Sequence, residues 1–188
     1  MSPRLRNLDD ARLLRAMAHP LRIRLIGTLV KDGPATASEL GRRLGESSAA
    51  TSYHLRILAK YGFIEDDSER NRGRERWWRA ADEGLEWTLD TDDVGLLEAD
   101  RALGRQLIGE YQRWLQRWHD EMPSWDRSWR AASSSADRWF ELTPTELRAL
   151  ADEVLAVLDR YGDRRARGED TERVTVLFHA FPERRGAA

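Results

Sequence analysis

Apolar positions along this chain change their period twice, dividing it into a helical array, a short hairpin and a second, mainly helical region. Residues 8–17 carry Leu8, Ala11, Leu14 and Met17 at three-residue intervals, which predicts a helix. His19-Pro20 interrupts it, and Pro20 suits the first turn of a second helix over 20–30 with Leu21, Leu25, Ile26 and Val30 on one face, ending at Gly33-Pro34. Thr36 and Glu39 form a Thr-x-x-Glu capping box that opens a third, short helix to Leu44, closed by Gly45. Ser47-Ser48 are good caps for a fourth, whose apolar face reads Ala50, Tyr53/His54, Ile57, Leu58 and Tyr61, with Gly62 placed to end it. The period then shortens: residues 63–65 and 75–81 read as strands around a turn-like Asn71-Arg72-Gly73 tip.

Beyond a polar stretch at 82–93, where the domain boundary is expected, a long helix is predicted over 94–119. Its stripe is Leu97, Leu107, Tyr111, Trp114 and Trp118, the last four spaced 4, 3 and 4 apart, the spacing of a helix that packs on another helix. Pro123 ends it, and residues 124–137, rich in Ser, Trp and Arg, carry no clear signal. Residues 139–142 and 174–181 read as strands, the latter alternating through Val174, Val176, Phe178 and Ala180. Between them, a second capping box at Thr143-Pro144-Thr145-Glu146 opens a helix carrying Leu147, Leu150, Val154, Val157/Leu158 and Tyr161, followed by a charged loop at 164–172. The expected fold is mainly α with small β elements: a winged helix-turn-helix over 1–85, then a helical dimerisation and effector domain over 86–188.

Composition narrows the class. Of 188 residues 40% are hydrophobic and 34% charged, with eight Trp, four Tyr and four Phe, so the chain can build a core and is not disordered as a whole. No apolar run approaches the ~20 residues of a membrane span, the N-terminus lacks a secretory pattern, and there is no cysteine. A soluble cytoplasmic protein is the expectation. The net charge of -2 conceals an asymmetry: residues 1–80 hold 16 Lys and Arg against 10 Asp and Glu, and the remainder 15 against 23. One half is basic and the other acidic, as expected when one half meets a polyanion, although chance clustering of surface charge gives the same count.

Two short helices joined by a tight turn can lay the second in the major groove of duplex DNA. Here the turn is Leu44-Gly45-Glu46, and the presented helix carries Ser47, Ser48, Thr51 and Ser52 in its first turns, short side chains that permit close approach. Tyr53, His54, Arg56 and Lys60 add reach or charge; Arg56 and Lys60 are expected at phosphates, where they set affinity more than sequence preference. The hairpin contributes Arg70, Arg72 and Arg74, with Arg76 following, as a basic tip for the flanking backbone or the minor groove.

His19-Pro20-Leu21-Arg22, Ala37-Ser38-Glu39-Leu40, the run Thr51-Ser52-Tyr53-His54-Leu55-Arg56-Ile57-Leu58 and Gly62-Phe63-Ile64, in this order, resemble the winged-helix domain of the ArsR-like regulators over about residues 8–81. The resemblance implies a homodimeric, usually repressing DNA-binding protein, with Ser47, Ser48, Ser52, Tyr53 and His54 facing groove or phosphate. A dimer would set two recognition helices ~34 Å apart on a pseudo-palindromic operator. Many relatives sense metals through a Cys pair on the third helix or paired His and Asp on a C-terminal one. This chain has no Cys, and its four His, at 19, 54, 119 and 179, show no ligand-pair spacing, so neither a metal nor a cofactor is expected.

Several residues admit two readings. His54 either contacts a phosphate or bridges helices inside the domain; His19, at a helix junction, reads as structural; His119 is either a partner of a helix dipole or an effector contact. Trp114, Trp118, Trp125, Trp129 and Trp139 gather in the second half as either an aromatic dimer core or the walls of a pocket for a small apolar or aromatic effector, which Trp114, Trp118, His119, Trp125 and Trp129 would contact. No nucleotide-binding loop, nucleophile elbow or zinc-protease motif is present, so no enzyme is expected. The alternative to DNA binding is a winged helix that docks a protein partner, for which an arginine-rich wing has no evident use.

Overall fold

The computed structural model describes residues 5–70, 75–82, 84–87, 90–162 and 171–184. Its elements in chain order are β1 (Leu5–Asn7), α1 (Ala11–Met17), α2 (Pro20–Asp32), β2 (Ala35–Thr36), α3 (Ala37–Leu44), α4 (Ser48–Lys60), β3 (Ile64–Asp66), β4 (Trp77–Ala80), β5 (Gly84–Glu86), α5 (Val94–Glu121), α6 (Arg127–Ala132) and α7 (Pro144–Gly162), with a 3-10 turn at Met122–Ser124. The chain forms two compact units, one running to Trp118 and the other beginning at His119.

The first unit is a winged helix. Strands β2, β4 and β3 make an antiparallel sheet in that order, with Thr36 opposite Trp77 and Glu65 opposite Arg79. β1 pairs with β5 in parallel, which ties the start of the chain to the segment after the wing. Helix α4 packs on α1, α2, α3 and β3. The single core contains Leu8, Leu14 and Met17; Leu21, Leu25 and Leu29 of α2; Leu40; Leu55 and Leu58 of α4; and Phe63, Ile64 and Trp78 of the wing. Ala99, Leu103 and Leu107 of α5 complete it, so the unit extends past the expected boundary at 82–93.

Local signals account for the helix ends. Thr36 and Glu39 form the expected capping box, Oγ of Ser47 accepts the Ala50 N–H at 3.1 Å and caps α4, and Pro20 stands in the first turn of α2. Gly45 and Gly62 both adopt the left-handed conformation at helix C-termini, φ 70° and 71°.

Tertiary packing overrides the expected faces in several places. The buried side of α4 is Thr51, Leu55 and Leu58, whereas Tyr53 is 56% exposed. Val30 is exposed, and Ile23 and Leu29 are buried in its stead. Leu8 is buried but lies ahead of α1. Of the adjacent Trp77 and Trp78, Trp78 points inward.

In the second unit, α7 forms as expected, and α6 forms in the segment without a clear signal. The strands expected at 139–142 and 174–181 do not form: neither segment has a partner strand among the described residues, and an alternating sequence becomes a strand only when another backbone takes its hydrogen bonds. No described residue of this unit is buried; Trp139, Phe140, Val174, Val176 and Phe181 are each at least 60% exposed. Among the described residues no helix is long and apolar enough to cross a membrane.

Candidate nucleic-acid interface

Three elements converge on an open cleft of about 280 Å3. The first turn of α3 contributes Thr36, Ala37 and Ser38, α4 contributes Ser48, Ser52 and Arg56, and the wing contributes Glu75, Arg76 and Trp78. The hydroxyl of Ser38 donates to Glu75 Oε1 at 3.2 Å, bridging α3 to the wing. Arg56 is exposed, and its Nε donates to the Ser52 carbonyl one turn back. Arg76 lies between a carboxylate and a ring: its Nη2 is 2.6 Å from Asp66 Oδ2 and its guanidinium is 4.0 Å from the centre of the Trp78 ring. That clamp holds Nε and Nη2 on the Asp66 carboxylate and leaves the remaining guanidinium N–H groups in the cleft with Ser48, Ser52 and Arg56, an arrangement suited to a phosphate or a guanine edge.

The described wing cations are paired with carboxylates, one of them, Arg79, with its cross-strand partner Glu65. Arg79 meets Glu65 at 2.8 Å, Arg76 meets Asp66, and Arg70 lies 3.5 Å from Asp67 while its guanidinium sits 5.6 Å from the Trp77 ring. Their formal charge is therefore partly answered inside the protein, and a polyanion must compete with three carboxylates. A second, polar cleft of about 350 Å3 runs along this edge, lined by Pro34, Asp67, Ser68, Glu69, Arg70 and Arg79. Arg72 and Arg74 lie outside the described residues.

Most of the remaining expected contacts are on the open side of α4. Ser47, Ser48, Tyr53 and Lys60 are exposed, Ser52 is half-buried, and Lys60 Nζ lies 5.5 Å from the Tyr61 ring centre. Thr51 is a correction. It has no exposed surface, its hydroxyl donates to the Ser47 carbonyl at 2.9 Å, and it faces Gly41 of α3, so it packs the turn and cannot meet a groove. Ser38 and Glu75 do not lie on the presented helix, and the sequence carries no signal that brings them beside it; the capping box at Thr36 fixes only where α3 begins.

His54 bridges two helices. Its ring stacks on His19 with centroids 4.2 Å apart, and its Nδ1 is buried without a hydrogen-bond partner. Nδ1 of His19 accepts the Leu21 N–H at 3.2 Å and so caps α2, a contact available only to the unprotonated nitrogen. Burial holds both rings below the ordinary histidine value of 6.5, and Arg22 pushes the same way while Glu46 opposes it. The unfolded chain takes up protons that the folded one refuses, so this contribution to stability is complete above pH 6.5 and is lost as pH falls below it. Thermal melts at pH 7.5, 6.5 and 5.5 should show the decline, and His19→Asn, which retains a capping oxygen, should make it shallower. An unchanged decline in that variant would assign it to other groups.

The aromatic residues fall into separate groups. In the first unit Trp114 packs beside Tyr111, with Lys31 Nζ 3.9 Å from its ring centre, and Trp118 is half-buried. In the second, Trp125 and Trp129 meet edge to face at 6.2 Å, and His119 is exposed. Neither cleft described above is lined by any of these five residues.

Residues 17–67 match the family described as "Helix-turn-helix domain". The structure of that segment has the geometry of a helix-turn-helix. In it α3 and α4 are the paired helices, Gly45-Glu46 the turn, and the β3–β4 hairpin the wing that adjoins them. The HTH-type transcriptional regulator YgaV of Escherichia coli (strain K12) is 41% identical over 64 residues, which are 34% of this chain and 63% of YgaV. Among solved structures, the transcriptional repressor BigR from Xylella fastidiosa is 23% identical, covering 47% of this chain and 73% of that one with a TM-score of 0.32. ZitR of Lactococcus lactis is 13% identical, covering 77% and 83%, also at 0.32.

Proposed function

We propose that this protein is a sequence-specific DNA-binding transcriptional regulator of the ArsR-like kind, a homodimeric repressor acting on an inverted-repeat operator. The observation that carries the reading is the cleft in which Ser48, Ser52 and Arg56 of α4 and the clamped Arg76 of the wing open on one side of a helix-turn-helix domain. The homology of that domain to an HTH-type transcriptional regulator supports it and disfavours a module that docks only proteins. In this reading α4 enters the major groove, with Ser47, Ser48, Ser52 and Tyr53 toward the bases and Arg56, Lys60, Arg70, Arg72, Arg74 and Arg76 toward phosphates. The exposed apolar residues of the second unit support dimerisation, because Trp139, Phe140, Leu155, Val157, Tyr161 and Phe181 stand in water in a single copy. Release by a small apolar or aromatic effector belongs to the same proposal. It would act through different affinities for the DNA-competent and incompetent states.

The test is selection of the full chain against a genomic DNA fragment library at ~150 mM salt with competitor, where specific complexes typically reach nanomolar affinity. Recovery of a short inverted repeat supports the reading; weak, salt-erased binding with no enriched sequence overturns it. On a recovered site, Arg56→Ala with Arg76→Ala should weaken binding and make the slope of log affinity against log salt shallower by about 1 to 2, given about 0.9 per phosphate contact. The lower end is expected if Asp66 already answers part of the Arg76 charge. A slope identical to wild type would remove both residues from the phosphate contacts.

A further inference from the structure

Arg6 stands outside the helix-turn-helix segment, yet it holds the far end of that segment's second helix. Helix α4 closes with two backbone bonds, Gly62 N–H to the Ala59 carbonyl and Phe63 N–H to the Leu58 carbonyl, both at 2.9 Å. This leaves the carbonyls of Tyr61 and Gly62 to be satisfied from elsewhere. The Arg6 guanidinium takes both: Nη1 donates to the Gly62 oxygen at 2.5 Å and Nη2 to the Tyr61 oxygen at 2.8 Å. It also lies 4.8 Å from the centre of the Phe63 ring and 3.5 Å from Asp82 Oδ2. A cation here suits the negative end of the helix dipole. The backbone that carries Arg6 is itself anchored, because β1 pairs with β5. The cradle is close-fitting: a Cβ on Gly62 would stand 3.3 Å from both Nη1 and Nη2 of Arg6.

We infer that Arg6 is a positioning residue for DNA recognition, clamping the C-terminal end of α4 to the strand pair β1–β5 and so setting the angle at which the N-terminal turns of α4 are presented. The inference rests on the DNA-binding reading above. Arg6 reaches no nucleic acid; it acts through α4. Groove readout needs side chains held within a fraction of an ångström of their partners, so a helix free to swing about its far end loses sequence discrimination before it loses general attraction to DNA. A planar fork is required, since an ammonium cannot bond both carbonyls in the same geometry.

The experiment compares Arg6→Ala and Arg6→Lys with wild type in the full chain. Affinity is measured for the selected operator and for random duplex DNA over a range of salt, with a thermal melt to fix a temperature at which every variant is folded. Arg6→Ala should lose roughly tenfold in operator affinity, the scale of one charge-assisted hydrogen bond. Its affinity for random DNA and its salt slope should match wild type, and Arg6→Lys should recover only part of the loss. Amide exchange in residues 59–64 should quicken in Arg6→Ala with or without DNA. A shallower salt slope with weaker random-DNA binding would make Arg6 a phosphate contact and overturn the inference. So would a lowered melting temperature with an unchanged ratio of operator to random-DNA affinity, which is the signature of a purely structural role. Failure of the wild-type chain to enrich any sequence would overturn the DNA-binding reading itself, and the Arg6 inference with it.

Discussion

Leu55→Ala is expected to destabilise the first unit by about 2–5 kcal/mol, the range for truncating a fully buried leucine. Leu55 has no exposed surface and lies on the side of α4 that faces the core shared with α2, α3 and the wing. The loss combines the transfer free energy of the deleted atoms with the cavity left behind, and α1, α2, α3 and β3 hold α4 too firmly for the gap to close. Against a typical total of about 5–15 kcal/mol, this is enough to leave a visible unfolded fraction near physiological temperature. Tyr53→Ala on the same helix, at a residue 56% exposed, should change stability by no more than about 0.5 kcal/mol. Chemical denaturation of both variants distinguishes the two faces. Equal losses, or a larger one at Tyr53, would mean that α4 presents a different side to the core.

Gly41→Ala should be the second large effect, in the direction opposite to helix propensity. Alanine within a helix ordinarily gains about 0.5–1 kcal/mol over glycine. At Gly41 the added methyl would stand 2.9 Å from the Glu46 carbonyl oxygen and 3.1 Å from Thr51 Oγ1. The first is a backbone atom in a turn held by the Glu46 N–H bond to the Gly41 carbonyl at 2.8 Å, so it cannot rotate away. Relief requires α3 and α4 to separate. A net destabilisation of about 1–3 kcal/mol is expected, with weakened operator binding because the two helices lose their mutual angle. Gly27→Ala is the control: it lies in α2, nothing stands within 4 Å of its added carbon, and it should be neutral or slightly stabilising. Similar behaviour of the two variants would show that the close approach at Gly41 is not a constraint.

Features legible in the sequence act within a few residues of the chain. The Thr36–Glu39 capping box, the Ser47 cap, Pro20 at the start of α2 and the glycines at 45 and 62 are settled by bonds and torsions spanning no more than about one helical turn, and the structure contains each of them. The long period of α5 and the capped start of α7 were legible for the same reason. The exposed hydroxyls and cations of α4 followed from placing that helix second in a helix-turn-helix.

What depended on distant partners was not legible. Apolar residues surround α4 closely enough that Tyr53 and Ile57 define a face as well as Leu55 and Leu58 do; four neighbouring elements select the latter and draw Thr51 inside with them. Strands β1, β2 and β5 are two or three residues long, too short for alternation to register, and exist only because another backbone lies alongside. Residues 139–142 and 174–181 are the converse, alternating sequence without such a neighbour. The chain by itself determined where α2, α3 and α4 start and stop and that α3 and α4 are joined by a tight turn. Tertiary structure alone decided which side of α4 is offered, that Arg76 is clamped between Asp66 and Trp78, and that Arg6 closes the helix from 55 residues away. Those outcomes turn on contacts between elements, and no local pattern encodes them.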